Sequence, residues 1–223
     1  MCGRFAFYSP SEASAALFGV SGSLEVETRY NIAPTQFIAA VRDAEDEGRE
    51  LVMLRWGLIP FWAKDPSIGN RMINARAETV AEKPAYRAAY KHRRCIVLAD
   101  GFYEWRKAGD NKTPYFISLA NDEPFALAGL WENWKDKETG DSLQTATLIT
   151  TAANDFMAPL HHRMPVILEP GTAGEWLAGS KDLLDDVAAI TPPLQAWPVD
   201  RRVNNARNEG AELVSAAGDI LRG

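Results

Sequence analysis

Apolar runs of four to six residues alternate along most of the chain with clusters of Gly, Asp, Asn and Pro, the signature of short strands separated by turns. Phe37–Val41 and Leu51–Leu54 flank the charged stretch Arg42–Glu50, which contains Gly48, so this region predicts a hairpin. Cys95–Ala99, Tyr115–Leu119, Phe125–Leu130 and Thr145–Thr150 are rich in β-favouring residues and predict four further strands.

Helical signals are fewer and shorter. Ser9-Pro10-Ser11 followed by Glu12–Phe18 reads as a capped helix ended by Gly19, because a small polar residue satisfies free first-turn amides. Thr79-x-x-Glu82 has capping-box spacing and leads into Lys83–Arg93, where Pro84 suits a first turn and Tyr86 and Tyr90 share a face. Thr172–Leu177 and Lys181–Ile190 are the later helices, and Trp56–Trp62, continuing to Asn70, is a long aromatic-rich loop. The expected fold is α+β, one domain over residues 1–223, around an antiparallel, barrel-like sheet with flanking short helices. There is no repeat and no linker, and 46% hydrophobic composition over 223 residues is enough for one core.

The 30 Asp and Glu against 24 Lys and Arg give a net charge of -6, which by itself opposes a nucleic-acid partner. The charge is unevenly spread. Between Arg71 and Arg94, seven cations face only Glu78 and Glu82, a local balance of +5 that predicts a basic face. Cys2 and Cys95 have neither metal-ligand nor CxxC spacing, so no metal, disulfide or other cofactor is expected. Without a signal-like start or a long apolar run, the chain is expected to be cytoplasmic and free of membranes.

Cys2 carries the sharpest chemistry. Removal of Met1 would leave an α-amine and a thiol on adjacent carbons of one residue. The amine, with a reference pKa of about 7.7–8.0, is partly neutral at cellular pH and condenses with aldehydes; the thiol then adds to the imine carbon and closes a thiazolidine. The ring-opened sugar of an abasic DNA site is such an aldehyde. From position alone, Cys2 reads first as a small residue near a frayed terminus.

Seven segments resolve that ambiguity: Met1-Cys2-Gly3-Arg4-Phe5, Arg29-Tyr30-Asn31-Ile32-Ala33-Pro34-Thr35, Trp56-Gly57-Leu58-Ile59-Pro60, Asn74-Ala75-Arg76-Ala77-Glu78-Thr79, Asp100-Gly101-Phe102-Tyr103-Glu104-Trp105, His161-His162-Arg163-Met164-Pro165 and Val203-Asn204-Asn205-Ala206-Arg207-Asn208-Glu209-Gly210. In this order they resemble the SOS-response-associated peptidase family. The resemblance implies a protein that crosslinks through Cys2 to abasic sites in single-stranded DNA, with autoproteolytic release of Met1 and no cofactor.

On the residues' own chemistry, Glu104 between Tyr103 and Trp105 is a carboxylate open to desolvation and a raised pKa, or a surface strand-end glutamate. The resemblance implies the former, a proton-moving active-site group. It also selects His161 over His162 as the catalytic histidine, and His162 fills a position that varies in the family. Asn74 either orients a sugar hydroxyl or the Cys2 amine, or merely shapes a turn. Arg4, Arg76 and Arg163 suit phosphate contacts through their guanidinium forks, or bridges to carboxylates. Trp62, Phe61 and Pro34 suit stacking on bases, whereas Trp56 and Trp105 read as core. Two other functions stay open: a thiol peptidase using Cys2 and His161 on itself or other proteins, and a non-covalent single-strand-binding module.

Overall fold

The computed structural model describes residues 2–20, 24–44, 48–180, 182–185 and 187–223. Its strands, in chain order, are β1 (Phe5–Phe7), β2 (Arg29–Ile32), β3 (Phe37–Asp43), β4 (Arg49–Trp56), β5 (Asn74–Arg76), β6 (Arg94–Ala99), β7 (Gly101–Ala108), β8 (Asn111–Leu119), β9 (Phe125–Lys135), β10 (Ser142–Ala152), β11 (Arg163–Pro165), β12 (Ile167–Leu168), β13 (Leu194–Pro198) and β14 (Leu221–Arg222).

Five of these close into a barrel. β10 pairs β9 antiparallel from Ser142 to Leu148 and also pairs β4, while β4–β3, β3–β6 and β6–β9 complete the ring. The barrel is mixed, because β10 meets β4 in parallel at Thr145 and Ala146 and meets β5 in parallel from Leu148 to Thr150. A six-stranded sheet in the order β14-β13-β8-β7-β1-β2 packs beside it. The Phe5 ring of β1 meets Trp56 of the barrel edge-on, 5.3 Å between centroids.

All six residues of β6 are buried, which explains why it reads as a continuous apolar run and not as an alternating strand. The helix Pro170–Leu177 covers one of its faces, and Trp176 donates its indole N–H to the Cys95 carbonyl at 2.9 Å.

The expected hairpin is β3–β4, although residues 45–47 of its turn lie outside the described residues. The first helix spans Ser11–Leu17 without a side-chain cap. Its serines are otherwise engaged: the Ser9 hydroxyl bonds to Asp100 and the Ser11 hydroxyl donates to the Leu24 carbonyl. The capping box at Thr79 is also absent; a helix begins only at Arg87 and runs to His92. Pro84 accounts for this, since the residue before a proline is driven out of the helical region. Lys181–Ile190 breaks into a 3-10 turn at Asp182–Leu184 and a helical turn at Val187–Ile190, with Lys181 and Asp186 outside the described residues. Lys64–Asn70, expected as loop, contains a 3-10 segment at Pro66–Arg71.

Two motif glycines answer to packing. A Cβ on Gly57, whose φ is +121°, would sit 2.5 Å from the Gly69 carbonyl oxygen. One on Gly101 would sit 2.1 Å from the Phe116 ring and 2.7 Å from the Ile117 carbonyl oxygen. Gly101→Ala is therefore expected to destabilise the fold by about 3 kcal/mol, lowering the melting temperature by roughly 6–12 °C. An unchanged melting curve would mean that β8 yields at no cost.

The tail is held to the first sheet. Buried Asn31 accepts from Arg4 Nη1 at 2.7 Å and donates to the carbonyls of Asn205 and Asn208 at 3.0 and 2.9 Å. Glu209 takes the Arg29 side chain at 2.8 Å and the Tyr30 amide at 2.9 Å.

Candidate functional site

Cys2 immediately precedes the six-stranded sheet, and its carbonyl accepts a 2.7 Å hydrogen bond from Asn74 Nδ2 at the edge of the barrel. It therefore lies at the seam between the two sheets. Its thiol is fully buried, 3.9 Å from the Arg4 carbonyl oxygen. Burial first, and the negative charge of Glu104 second, push its pKa far above the usual thiol value. Cys95, buried in β6, is pushed up to about 12 by burial, with the charge of Arg42 acting against the rise.

Asn74 is fixed by parallel pairing opposite Leu148 and by the Tyr86 hydroxyl, which donates to its carbonyl at 3.3 Å. Its Oδ1 is buried and, among the described residues, has no hydrogen-bond partner. A buried acceptor of this kind is costly unless a ligand donor completes it.

Glu104 lies on β7 and is only 3% exposed. Burial raises its pKa above the ordinary carboxylate range. His161 Nδ1 lies 3.9 Å from Glu104 Oε1. The same nitrogen is 3.0 Å from both the amide and the carbonyl of Arg163, accepting from the first in one tautomer and donating to the second in the other. Burial, reinforced by the charges of Lys107 and Arg163, lowers the pKa of His161 and favours neutral imidazole. His162 is exposed and stacks on it, with ring centroids 4.3 Å apart, and the proximity of His161 lowers its pKa as well. Burial biases the carboxyl toward its protonated form and the imidazole toward its neutral form, so the two can serve as proton donor and acceptor.

Glu104 and His161 face an open cleft of about 440 Å³ whose other walls are Trp105, Lys107, Lys112 and Asn204. Asn204 Oδ1 accepts the Trp105 indole N–H at 2.7 Å, so the tail motif forms part of the cleft. Among the described residues, no group of three or more His, Cys, Asp or Glu side chains converges as a metal site, and no helix is long and apolar enough to cross a membrane.

The residues expected to contact phosphate divide in two. Arg76 is exposed and, among the described residues, makes no side-chain hydrogen bond or ion pair. Arg163 is engaged internally: its fork grips both carboxylate oxygens of Glu78 and donates to the Thr150 carbonyl at 2.6 Å. Arg4 is likewise spent on Asn31 and on the Val203 carbonyl, 2.8 Å away, with its guanidinium 5.9 Å from the Trp105 ring centroid. Trp62 and Phe61 are 47% and 56% exposed, whereas Pro34 is half-buried beside Thr35, whose φ is +74°.

The basic face is smaller than its sequence. Arg93 pairs with Glu132 at 2.7 Å, and Arg94 is buried against Tyr90 and Trp176, bonded to three carbonyls. Arg71, Arg76, Lys83, Arg87 and Lys91 remain exposed.

The fold and site define a class: a mixed five-strand barrel with a flanking sheet, a buried cysteine next to β1 at their seam, and a carboxyl–imidazole pair on the adjoining cleft. The chain belongs to the SOS response associated peptidase family, whose model matches residues 1–206. It is 43% identical to the abasic site processing protein YoaM of Bacillus subtilis over 226 residues, 97% of this chain and 98% of that one. It is 33% identical to the abasic site processing protein YedK of Escherichia coli over 226 residues, 96% and 99% of the two chains. A crystal structure of a Bacteroides thetaiotaomicron protein superposes with a TM-score of 0.84 at 26% identity, covering 97% of this chain and all of that one.

Proposed function

We propose that this chain processes abasic sites in single-stranded DNA by bonding them covalently through Cys2. The observation that carries the reading is the convergence of four side chains: Asn74 bonded to Cys2, the charge of Glu104 acting on the Cys2 thiol, and His161 beside Glu104. Relatives named as abasic site processing proteins support the substrate class.

The reaction begins with hydrolysis of the Met1–Cys2 peptide bond, which releases methionine and leaves the Cys2 α-amine free; Met1 lies outside the described residues. His161, neutral, exchanges a proton with the sugar as it opens to the aldehyde. The amine attacks C1′ to give a carbinolamine, and protonated Glu104 donates to its hydroxyl, which leaves as water. Sγ then adds to the iminium carbon, and the thiol proton passes to the Glu104 carboxylate, which restores the acid and leaves a neutral ring nitrogen. The balance is aldehyde plus aminothiol giving thiazolidine plus one water. The Asn74 amide orients the amine or a sugar hydroxyl, and Arg76 and Trp62 hold the strand by charge and stacking. One protomer supplies every group, so a single-domain monomer suffices.

The burial and raised pKa of the Cys2 thiol count against a peptidase that attacks other proteins with a standing thiolate. Intact-mass spectrometry before and after incubation with a single-stranded oligonucleotide bearing one abasic site tests the proposal. The expected result is a protein lacking Met1, then an adduct of protein plus oligonucleotide minus water that maps to Cys2. Binding without an adduct would leave a non-covalent module.

A further inference from the structure

The β7–β8 hairpin carries two cations that the chemistry above does not employ. Lys107 and Lys112 are register partners, so their side chains leave the same face of the hairpin directly opposite one another. Both are exposed, and among the described residues neither meets a carboxylate within ion-pair distance. Opposed like charges in a ladder repel, and the repulsion is relieved when an anion sits between them.

Their position is what gives the pair meaning. Both lysines wall the cleft that Glu104 and His161 face, and the charge of Lys107 is felt at the His161 ring. Trp105, two residues from Lys107 on the same face of β7, is fixed by Asn204, so the cleft wall beside the lysines is rigid. The chain as a whole is acidic, at -6, so an unneutralised cation pair on this wall is a local reversal of sign.

We propose that Lys107 and Lys112 form a phosphate seat that holds one phosphodiester of single-stranded DNA beside the abasic sugar. The proposal rests on the abasic-site reading and adds to it a second anchor. Arg76 belongs to the barrel side and the lysine pair to the six-stranded sheet, with Cys2 at the seam between them. A strand held at both would cross the seam and present its sugar to Cys2. Lysine suits this seat, since an ammonium with three rotatable donors follows a phosphate as a point charge without demanding the planar geometry of a guanidinium fork.

The test uses the full chain carrying Lys107→Gln and Lys112→Gln, with fluorescence anisotropy of a labelled, lesion-free single-stranded oligonucleotide across a salt series. Affinity is expected to fall about tenfold, and the slope of log K against log salt to flatten by about 0.7, the value for one single-strand phosphate that is no longer neutralised. The Lys107→Arg and Lys112→Arg double variant, which keeps both charges, is expected to restore binding. An affinity and salt slope equal to wild type in the glutamine variant overturn the seat. Thermal melting of both variants checks the fold, and the charge-retaining variant keeps the comparison valid if the glutamines soften the hairpin. Because the probe has no aldehyde, a wild-type protein that binds abasic DNA but forms no adduct would sink the covalent reading while the lysine measurement still decides the seat.

Discussion

Cys2→Ala is expected to abolish the adduct with abasic single-stranded DNA while leaving affinity for the intact strand within about threefold, because phosphate contacts set affinity and this side chain makes none. The thiol is fully buried, so its loss leaves a small void that costs about 1 kcal/mol; the protein should remain folded at room temperature. Denaturing electrophoresis after incubation reads the adduct, and anisotropy reads the affinity. A surviving adduct would show that an amine alone suffices and that the thiol is not needed, and simultaneous loss of both would mark a folding defect.

Glu104→Gln is expected to slow adduct formation by about 10²- to 10⁴-fold, the range a positioned general acid contributes. It should also stabilise the protein at neutral and alkaline pH. The sign follows from burial. Glu104 has a folded pKa raised above its unfolded value, so its favourable contribution is complete below the unfolded carboxyl pKa of about 4.3 and is lost as pH rises through the folded value. Glutamine is neutral throughout and avoids that loss. Melting curves should show the variant ahead of wild type at pH 8, with the two converging below about pH 4. A variant less stable than wild type at pH 8 would show that the fold favours the carboxylate, and the acid role would fall.

Much of the architecture is legible because the barrel strands carry their pattern in the sequence. Phe37–Val41 and Leu51–Leu54 flank a charged turn, and β3–β4 is the result. β1, β7 and β13 escape a reading based on runs: β1 is three residues long, and β7 changes from four buried residues at its start to exposed ones at its end. The capping box fails because a proline five residues after Thr79 overrides a local spacing rule.

The candidate site divides in the same way. Cys2, Asn74, Glu104 and His161 are nominated by short motifs, and the fold brings them together. Asn31, Asp100 and Glu209 stand in motifs too but show no role there, because most of their partners lie 91 to 180 residues away and the bonds run largely to backbone. Asp100, for example, receives the Tyr8 and Ser9 amides at 2.6 and 2.9 Å. Lys107 and Lys112 look like ordinary solvated charges until hairpin register sets them opposite one another.

The way the tail is fastened has a consequence for the amino terminus. Cys2 stands ahead of β1, yet its surroundings are assembled from Asn74, from Glu104 and, through Arg4, from Asn31 and the distant Val203 carbonyl. The amino-terminal contacts thus depend on residues nearly two hundred positions away, and the chain folds around them as one unit. A chain cut short of Val203 therefore keeps the cysteine but loses the carbonyl that fixes Arg4 beside it.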